Sequence, residues 1–225
     1  MSSDVCFLAL RFVGPLQSWG VDSQYSRRNT GLMPTRSAVA GICCASLGLP
    51  RGSEKEREFL GRFNSVRMTS IVIPRKRGKK DLQVRRLQDY HTVLNTKTAK
   101  GESKPCHITH RQYLADTSFG VLLEGPRILL VEVENALFDP IWGIWLGRKC
   151  CIPSAPVLAG LKDTKEEALI LMIGERQIES LTRQEEVTDF REGRDALNDV
   201  PVSFATDRRL FSPRRVKTTP GTGQG

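Results

Sequence analysis

Tyr90 and His91 stand side by side in the stretch LQDYHTVL, within a 225-residue chain that holds only three histidines. With a neighbouring lysine they could act as general acid and base in RNA cleavage. An imidazole titrates near neutrality, and an ammonium can stabilise a pentacoordinate phosphate. The competing reading makes His91 a structural residue that hydrogen-bonds at the base of a polar arm, and it is favoured because no lysine partner is fixed. His107 and His110 lie three apart but have no carboxylates at ligand spacing, so a metal is not expected. There is no phosphate-binding GxxxxGK[ST] loop, no GxSxG and no HExxH. Cys43–Cys44 and Cys150–Cys151 are adjacent pairs, and no CxxC occurs. Cys43 and Cys44 therefore read as small core residues of a protein in a reducing compartment. No catalytic residue, cofactor or metal ligand is assigned.

Binding chemistry is better supplied. Trp19, Tyr25, Tyr90, Trp142 and Trp145 fall in basic or glycine-rich segments, the mixture that single-stranded RNA recognition uses. Taken singly, each aromatic is more often a core residue. Trp145 is the exception, because the following Leu146-Gly147-Arg148-Lys149 combines cations with a glycine that lets another backbone come close. The formal net charge is +9, and it is clustered. Arg75–Arg86 holds seven basic residues against one aspartate, and Arg208–Lys217 holds five against none. Such blocks point to a polyanionic partner.

These residues must be positioned by a fold. With 39% apolar and 26% charged residues, the chain matches an ordinary globular protein. Val5–Val13 reads as a buried strand that stops at Gly14-Pro15. In PTRSAVAGICCASLGLP, Thr35 or Ser37 can cap a helix that Gly48 ends. Its N-terminus, with Arg36 beside it, offers a phosphate site. Glu54–Phe63 is a short charged helix and Asn64–Ile73 a second strand. Thr117–Leu123 is a third, and Pro126–Ala136 fits either a strand or a helix. The order strand, helix, strand, strand, helix suggests an α+β, ferredoxin-like (RRM-like) core. Arg75–Arg111, polar and carrying all three histidines, interrupts it where that fold has a hairpin to enlarge. Asp139–Pro156 is a turn-rich loop. Further on, Glu167–Ile173 is an apolar element that suits an edge strand, Glu185–Asp199 looks exposed, and Pro201–Ala205 and Phe211–Lys217 can pair as a basic hairpin. The expected organisation is a core over 1–160 containing the arm 75–111, a smaller β-rich part over 161–218, and a disordered tail over 219–225. MSSDVCFLAL lacks the features of a signal peptide, and nothing approaches the ~18–20 apolar residues of a membrane span, so a cytoplasmic protein without a membrane partner is expected.

Five blocks in order, the strand leading into GPLQSWG, then PTRSAVAGICCASLG, LQDYHTVL, RQYLADTSFGV and WLGRKCCIPSAPV, resemble the type I-E branch of the fifth CRISPR-associated protein family. The match runs from about residue 5 to 160 and is loose beyond it. The resemblance implies a non-catalytic subunit of a Cascade surveillance complex with a ferredoxin-like core, an inserted β-hairpin thumb and a smaller C-terminal part. It implies that the subunit binds the 5′ handle of the CRISPR RNA, caps the filament of backbone subunits, contacts the large subunit and reaches target DNA through the complex. Gln17, Trp19, Arg36, Ser37 and Trp145, Leu146, Gly147, Arg148 and Lys149 become handle contacts. Arg75–Arg111 becomes the thumb, with Arg85, Arg86, Tyr90, His91 and Arg111 as its marked residues. In the related type I-C systems a family member cuts repeat RNA with Tyr, Lys and His, which keeps a metal-independent endoribonuclease as one alternative. A general single-stranded RNA-binding module is the other.

Overall fold

The computed structural model describes residues 4–21, 26–77, 80–98, 100–189 and 191–222. Tyr25 and the end of the expected tail, 223–225, lie outside them. β1 (Val5–Gln17) sets the pattern for the whole sheet. Successive side chains of a strand point to opposite faces. Leu8, Leu10 and Phe12 join one core cluster and Ala9 another, and in β7 (Ser103–Pro126) Phe119, Val121 and Leu123 part from Leu122 in the same way. The sheet is thus buried on both sides.

One face carries α1 (Arg36–Ser46), α2 (Glu54–Phe63) and α3 (Arg127–Phe138). Thr35 caps α1, its hydroxyl accepting from Ala38 N, and Ser53 caps α2 by accepting from Glu56 N. The run after Pro126 is a helix that begins at Arg127, with Pro126 as its N-cap residue and the last residue of β7. The other face carries α4 (Lys165–Ile173), where Ala168, Met172 and Ile173 pack on Ala9, Ile71 and Leu122. This corrects the edge strand expected at Glu167–Ile173. Thr164 accepts from Glu167 N, two glutamates sit in the first turn, and the Ala-Leu-Ile-Leu-Met run favours a helix under such a cap.

With β3 (Arg67–Val72) and β8 (Leu158–Lys162), the core strands lie in the order β8-β1-β7-β3, every neighbouring pair antiparallel. Each helical crossover thus joins two strands with a third between them, the split arrangement of a ferredoxin-like unit. β8, its fourth strand, straddles the boundary placed at 160. Beyond β3 the same sheet continues through β9 (Arg183–Glu186), β11 (Leu210–Thr219) and β10 (Asp195–Ser203). The expected hairpin is present, with Pro201 opposite Phe211. The disordered tail is corrected as far as residue 222: Thr219 pairs with Arg183, and Gly221 and Thr222 donate to Thr182 and Glu179.

Buried charge ties these C-terminal strands to α1. Arg36, only 1% exposed, donates to Glu186 at 2.6 Å and to the Phe63 carbonyl at 2.8 Å, with its guanidinium over the Phe63 ring. Burial pushes its pKa down, and Glu186 beside it opposes that shift. Asp199 accepts from the Arg36 backbone N–H at 2.7 Å and from both Nε and Nη2 of Arg214. The segment Glu185–Asp199, expected to be exposed, therefore supplies two anchoring carboxylates.

The arm is a hairpin of β6 (Arg85–Lys97) and the first half of β7, in register from Arg85 opposite Ala115 to Lys97 opposite Ser103. Thirteen residues per strand reach ~40 Å. Two short strands, β4 (Lys76–Arg77) and β5 (Lys80–Asp81), pair before it, and β2 (Arg27–Arg28) lies parallel to β7 beside His110 and Arg111. Asp116, with φ at 53°, marks where β7 passes from arm to core, and Arg75 pairs with its carboxylate at 2.9 Å.

Candidate nucleic-acid interface

The loop after α3 is held at both ends. Ile141 N and Trp142 N donate to the Ser46 and Ala45 carbonyls at the end of α1. Leu146 is fully buried and exchanges backbone bonds with its surroundings: its N–H reaches Cys151 O, and its carbonyl accepts from Ser18 N. Gly147 has φ at 97°, and a β-carbon there would sit 1.7 Å from the Ser18 carbonyl oxygen. This is a position only glycine can occupy. Pinned at Leu146, the loop leaves Trp142 and Trp145 partly exposed, with Lys149 outward.

Between this loop, the small-residue side of α1 and the turn joining β10 to β11 lies a groove of about 620 Å³. Ala38, Gly41 and Ala45, at helical spacing, keep one wall low, and the nearest approach to a β-carbon at Gly41 is the Phe204 ring at 4.0 Å. Trp142, Trp145, Phe204 and Phe211 supply aromatic surface, the last two packed edge to face at 6.3 Å. Arg51, Lys149 and Arg209 bring positive charge. Ring faces with flanking cations are what stacked bases and phosphates require.

The sequence-marked residues divide. Ser37, Trp145, Gly147 and Lys149 line the groove together. Arg148 stands nearby but faces the arm root: its guanidinium lies 4.6 Å from the Tyr113 ring centroid, and Nη2 donates to Arg28 O at 2.8 Å. Four expected handle contacts are corrected. Gln17 is buried, its Nε2 donating to the Phe12 and Thr117 carbonyls. Trp19 is buried between Phe12 and Phe119. Leu146 plugs the core beneath the loop. Arg36 is consumed by Glu186, and the amide at its helix N-terminus already has an anion, Asp199. A site filled by the chain's own carboxylate has no room for a phosphate.

Sequence reading missed Arg51, Glu56, Phe204, Arg209 and Phe211. A signal existed for the last three, since two phenylalanines flank a turn that also carries arginines. On the arm, Arg85 and Arg86 are exposed, and Tyr90 is 61% exposed with its ring edge-on to His110 at 5.3 Å. His91 Nδ1 lies 3.7 Å from Asp89, and Arg111 Nε donates to Thr109. As strand neighbours, Tyr90 and His91 project to opposite faces, so one phosphate cannot meet both. Burial pushes the Cys43 thiol pKa up and that of Cys44 to about 12, as expected of core residues. Among the described residues no helix is long and apolar enough to cross a membrane.

Known proteins share this fold. The model of a family described as CRISPR-associated protein (Cas_Cas5) matches residues 7–217. The chain is similar to the CRISPR system Cascade subunit CasD of Escherichia coli (strain K12), 33% identical over 161 residues that cover 68% of this chain and 70% of that protein. It is similar in structure to a chain of a CRISPR RNA-guided surveillance complex, with a TM-score of 0.76, 26% identity and coverage of 96% and 90% of the two chains. A second solved Cas protein gives a TM-score of 0.65 at 28% identity, covering 96% of this chain and 99% of its own. A pinned aromatic loop, a basic groove and a long hairpin on a ferredoxin-like sheet thus accompany these matches, and the chain belongs to the CRISPR-associated Cas5 family.

Proposed function

We propose that this chain is a non-catalytic, CRISPR RNA-binding subunit of a type I-E Cascade complex, working in the cytoplasm, and that it holds the 5′ handle in the groove between α1, the 141–149 loop and the β10–β11 turn. The observation that carries this reading is the groove's lining, with four aromatic side chains, three cations and a low wall of small residues. The likeness to a Cascade subunit and to a chain of an RNA-guided surveillance complex supports it. Ser37, Trp145, Gly147 and Lys149 are the handle contacts retained from the sequence. Arg148 acts indirectly by fixing the β2 strap to the arm root.

The arm is the thumb, with Arg85 and the more sheltered Arg111 on one face and Arg86 and Tyr90 on the other, reaching guide, backbone subunit and target DNA, while the large subunit docks on the same complex. The opposite-face placement of Tyr90 and His91 weighs against the endoribonuclease alternative.

Binding of a repeat-derived 5′ octamer, followed by fluorescence anisotropy, tests the groove. Lys149→Ala and Trp145→Ala are each expected to weaken it several-fold, and a scrambled octamer to bind less tightly than the handle. Unchanged affinity in both variants would remove the groove assignment. Repeat RNA incubated without metal is expected to stay intact. Cleavage that is lost in Tyr90→Phe, His91→Ala or His110→Ala would restore the enzymatic reading.

A further inference from the structure

Glu56 is a fully buried carboxylate in the wall of the groove. Its position is fixed by its partners. Oε2 accepts from Gly52 N at 2.9 Å and from Phe204 N at 3.3 Å, so the same side chain that closes the start of α2 also holds the β10–β11 turn. Oε1, sheltered from bulk water, has no hydrogen-bond partner among the described residues. A buried acceptor left unpaired is costly, and a carboxylate oxygen more than most. The groove's cations suit a phosphate backbone, but a carboxylate repels phosphate. What it can accept is an N–H from the edge of a base stacked on the neighbouring rings.

We propose that Glu56 reads one base of the RNA, accepting a hydrogen bond at Oε1 from the exocyclic amine of adenine, cytosine or guanine and rejecting uracil. Uracil offers only an N3–H flanked by two carbonyl oxygens, which the carboxylate repels. A carboxylate accepting from a base amine is an established form of direct readout. This inference rests on the groove being the RNA site, and it adds a sequence preference that stacking and phosphate contacts do not supply.

The test uses the full-length chain and a panel of single-stranded octamers in which each position in turn is A, C, G or U, at one fixed salt concentration. Wild type is expected to bind about ten-fold more weakly when one particular position is uracil. Glu56→Gln keeps an oxygen for Gly52 and Phe204 but puts an amide NH₂ where Oε1 stood. It is expected to abolish or reverse the preference at that position and to leave the other seven unchanged. An equal change across all octamers, or intact preferences, would overturn the inference, because a purely structural role moves every sequence alike. Removing the amine from the RNA needs no variant protein: purine riboside in place of adenosine at that position should cost wild type the same factor, and no loss would also overturn it. Trp145→Ala separates the two readings. If it weakens every octamer while Glu56→Gln alters no preference, only the base-reading role fails. If it and Lys149→Ala both change nothing, the groove and the inference fall together.

Discussion

Gly147 and Arg36 show how single residues set this surface. At Gly147 the backbone is left-handed and the Ser18 carbonyl fills the place of a side chain. Gly147→Ala should therefore displace the loop that carries Trp145 and Lys149, with a strain cost of about 1–3 kcal/mol. Thermal unfolding should show the loss of stability, and handle affinity should fall with it. Arg36→Ala should behave differently from its position beside a helix N-terminus. It takes the nearer cation from the partly buried Glu186, leaving Arg214 at 3.9 Å, and is expected to cost about 3 kcal/mol of stability in denaturant unfolding. Handle affinity measured well below the unfolding transition should change little. A mutant of native stability but poor RNA binding would contradict the burial seen here. The chemistry of Gly147 was legible in the sequence because its neighbours form one continuous loop. The fate of Arg36 was not, since Glu186 and Asp199 lie 150 and 163 residues away along the chain. Local spacing cannot disclose a partner supplied by tertiary packing.

At the scale of elements, the hairpin arm is joined to the core at few points. Asp116 marks its exit, β2 lies along its root, and Arg148 clamps that strap against Tyr113. Most of its outer side chains are exposed, including Leu94 and Tyr90. Replacing Thr92–Ile108 with a two-residue turn should leave the unfolding midpoint within a few degrees of wild type while impairing assembly with the other subunits or recognition of target DNA. Native gel electrophoresis of the reconstituted complex checks the first, and filter binding of duplex target the second. The arm was readable from the sequence as a polar, basic interruption between two apolar runs. The succession of core elements along the chain was readable from its apolar runs and turn signals, apart from the strand-or-helix choice after Pro126, and the basic hairpin near the C-terminus was readable too. The α4 helix was not so readable. Its apolar residues point both at the sheet and along the surface, so the run carries no clean helical or strand period, and only the Thr164 cap marks it as a helix. The continuation of one sheet from β8 to β10 was also hidden, because non-local strand pairing leaves no mark in composition.

For the whole molecule, burial of thiols gives a pH dependence. Burial pushes Cys44 and Cys151 up to about 12, from an ordinary value of 9.0. An unfolded thiol loses its proton near pH 9 and the folded one does not, so above that pH the unfolded state binds fewer protons. Stability present below pH 9 should then decline as pH rises towards 12, by up to ~1.4 kcal/mol per pH unit for each thiol. Urea unfolding at pH 8 and pH 10.5, compared with Cys44→Ala, should show a shallower decline in the variant. Cys150, exposed beside Lys149, should alkylate readily in the native protein, whereas Cys43 and Cys44 should not.

The same molecule presents aromatic and cationic side chains from three distant segments to one groove, and its use for the guide is the central claim. Ultraviolet cross-linking of the assembled complex to its own RNA, with the linked peptides mapped by mass spectrometry, tests that claim most directly. Links from the 5′ handle to Trp142–Lys149 and Phe204–Phe211 are the expected result. Handle links confined to the arm or to the α4 face, with none in either of those segments, would contradict it.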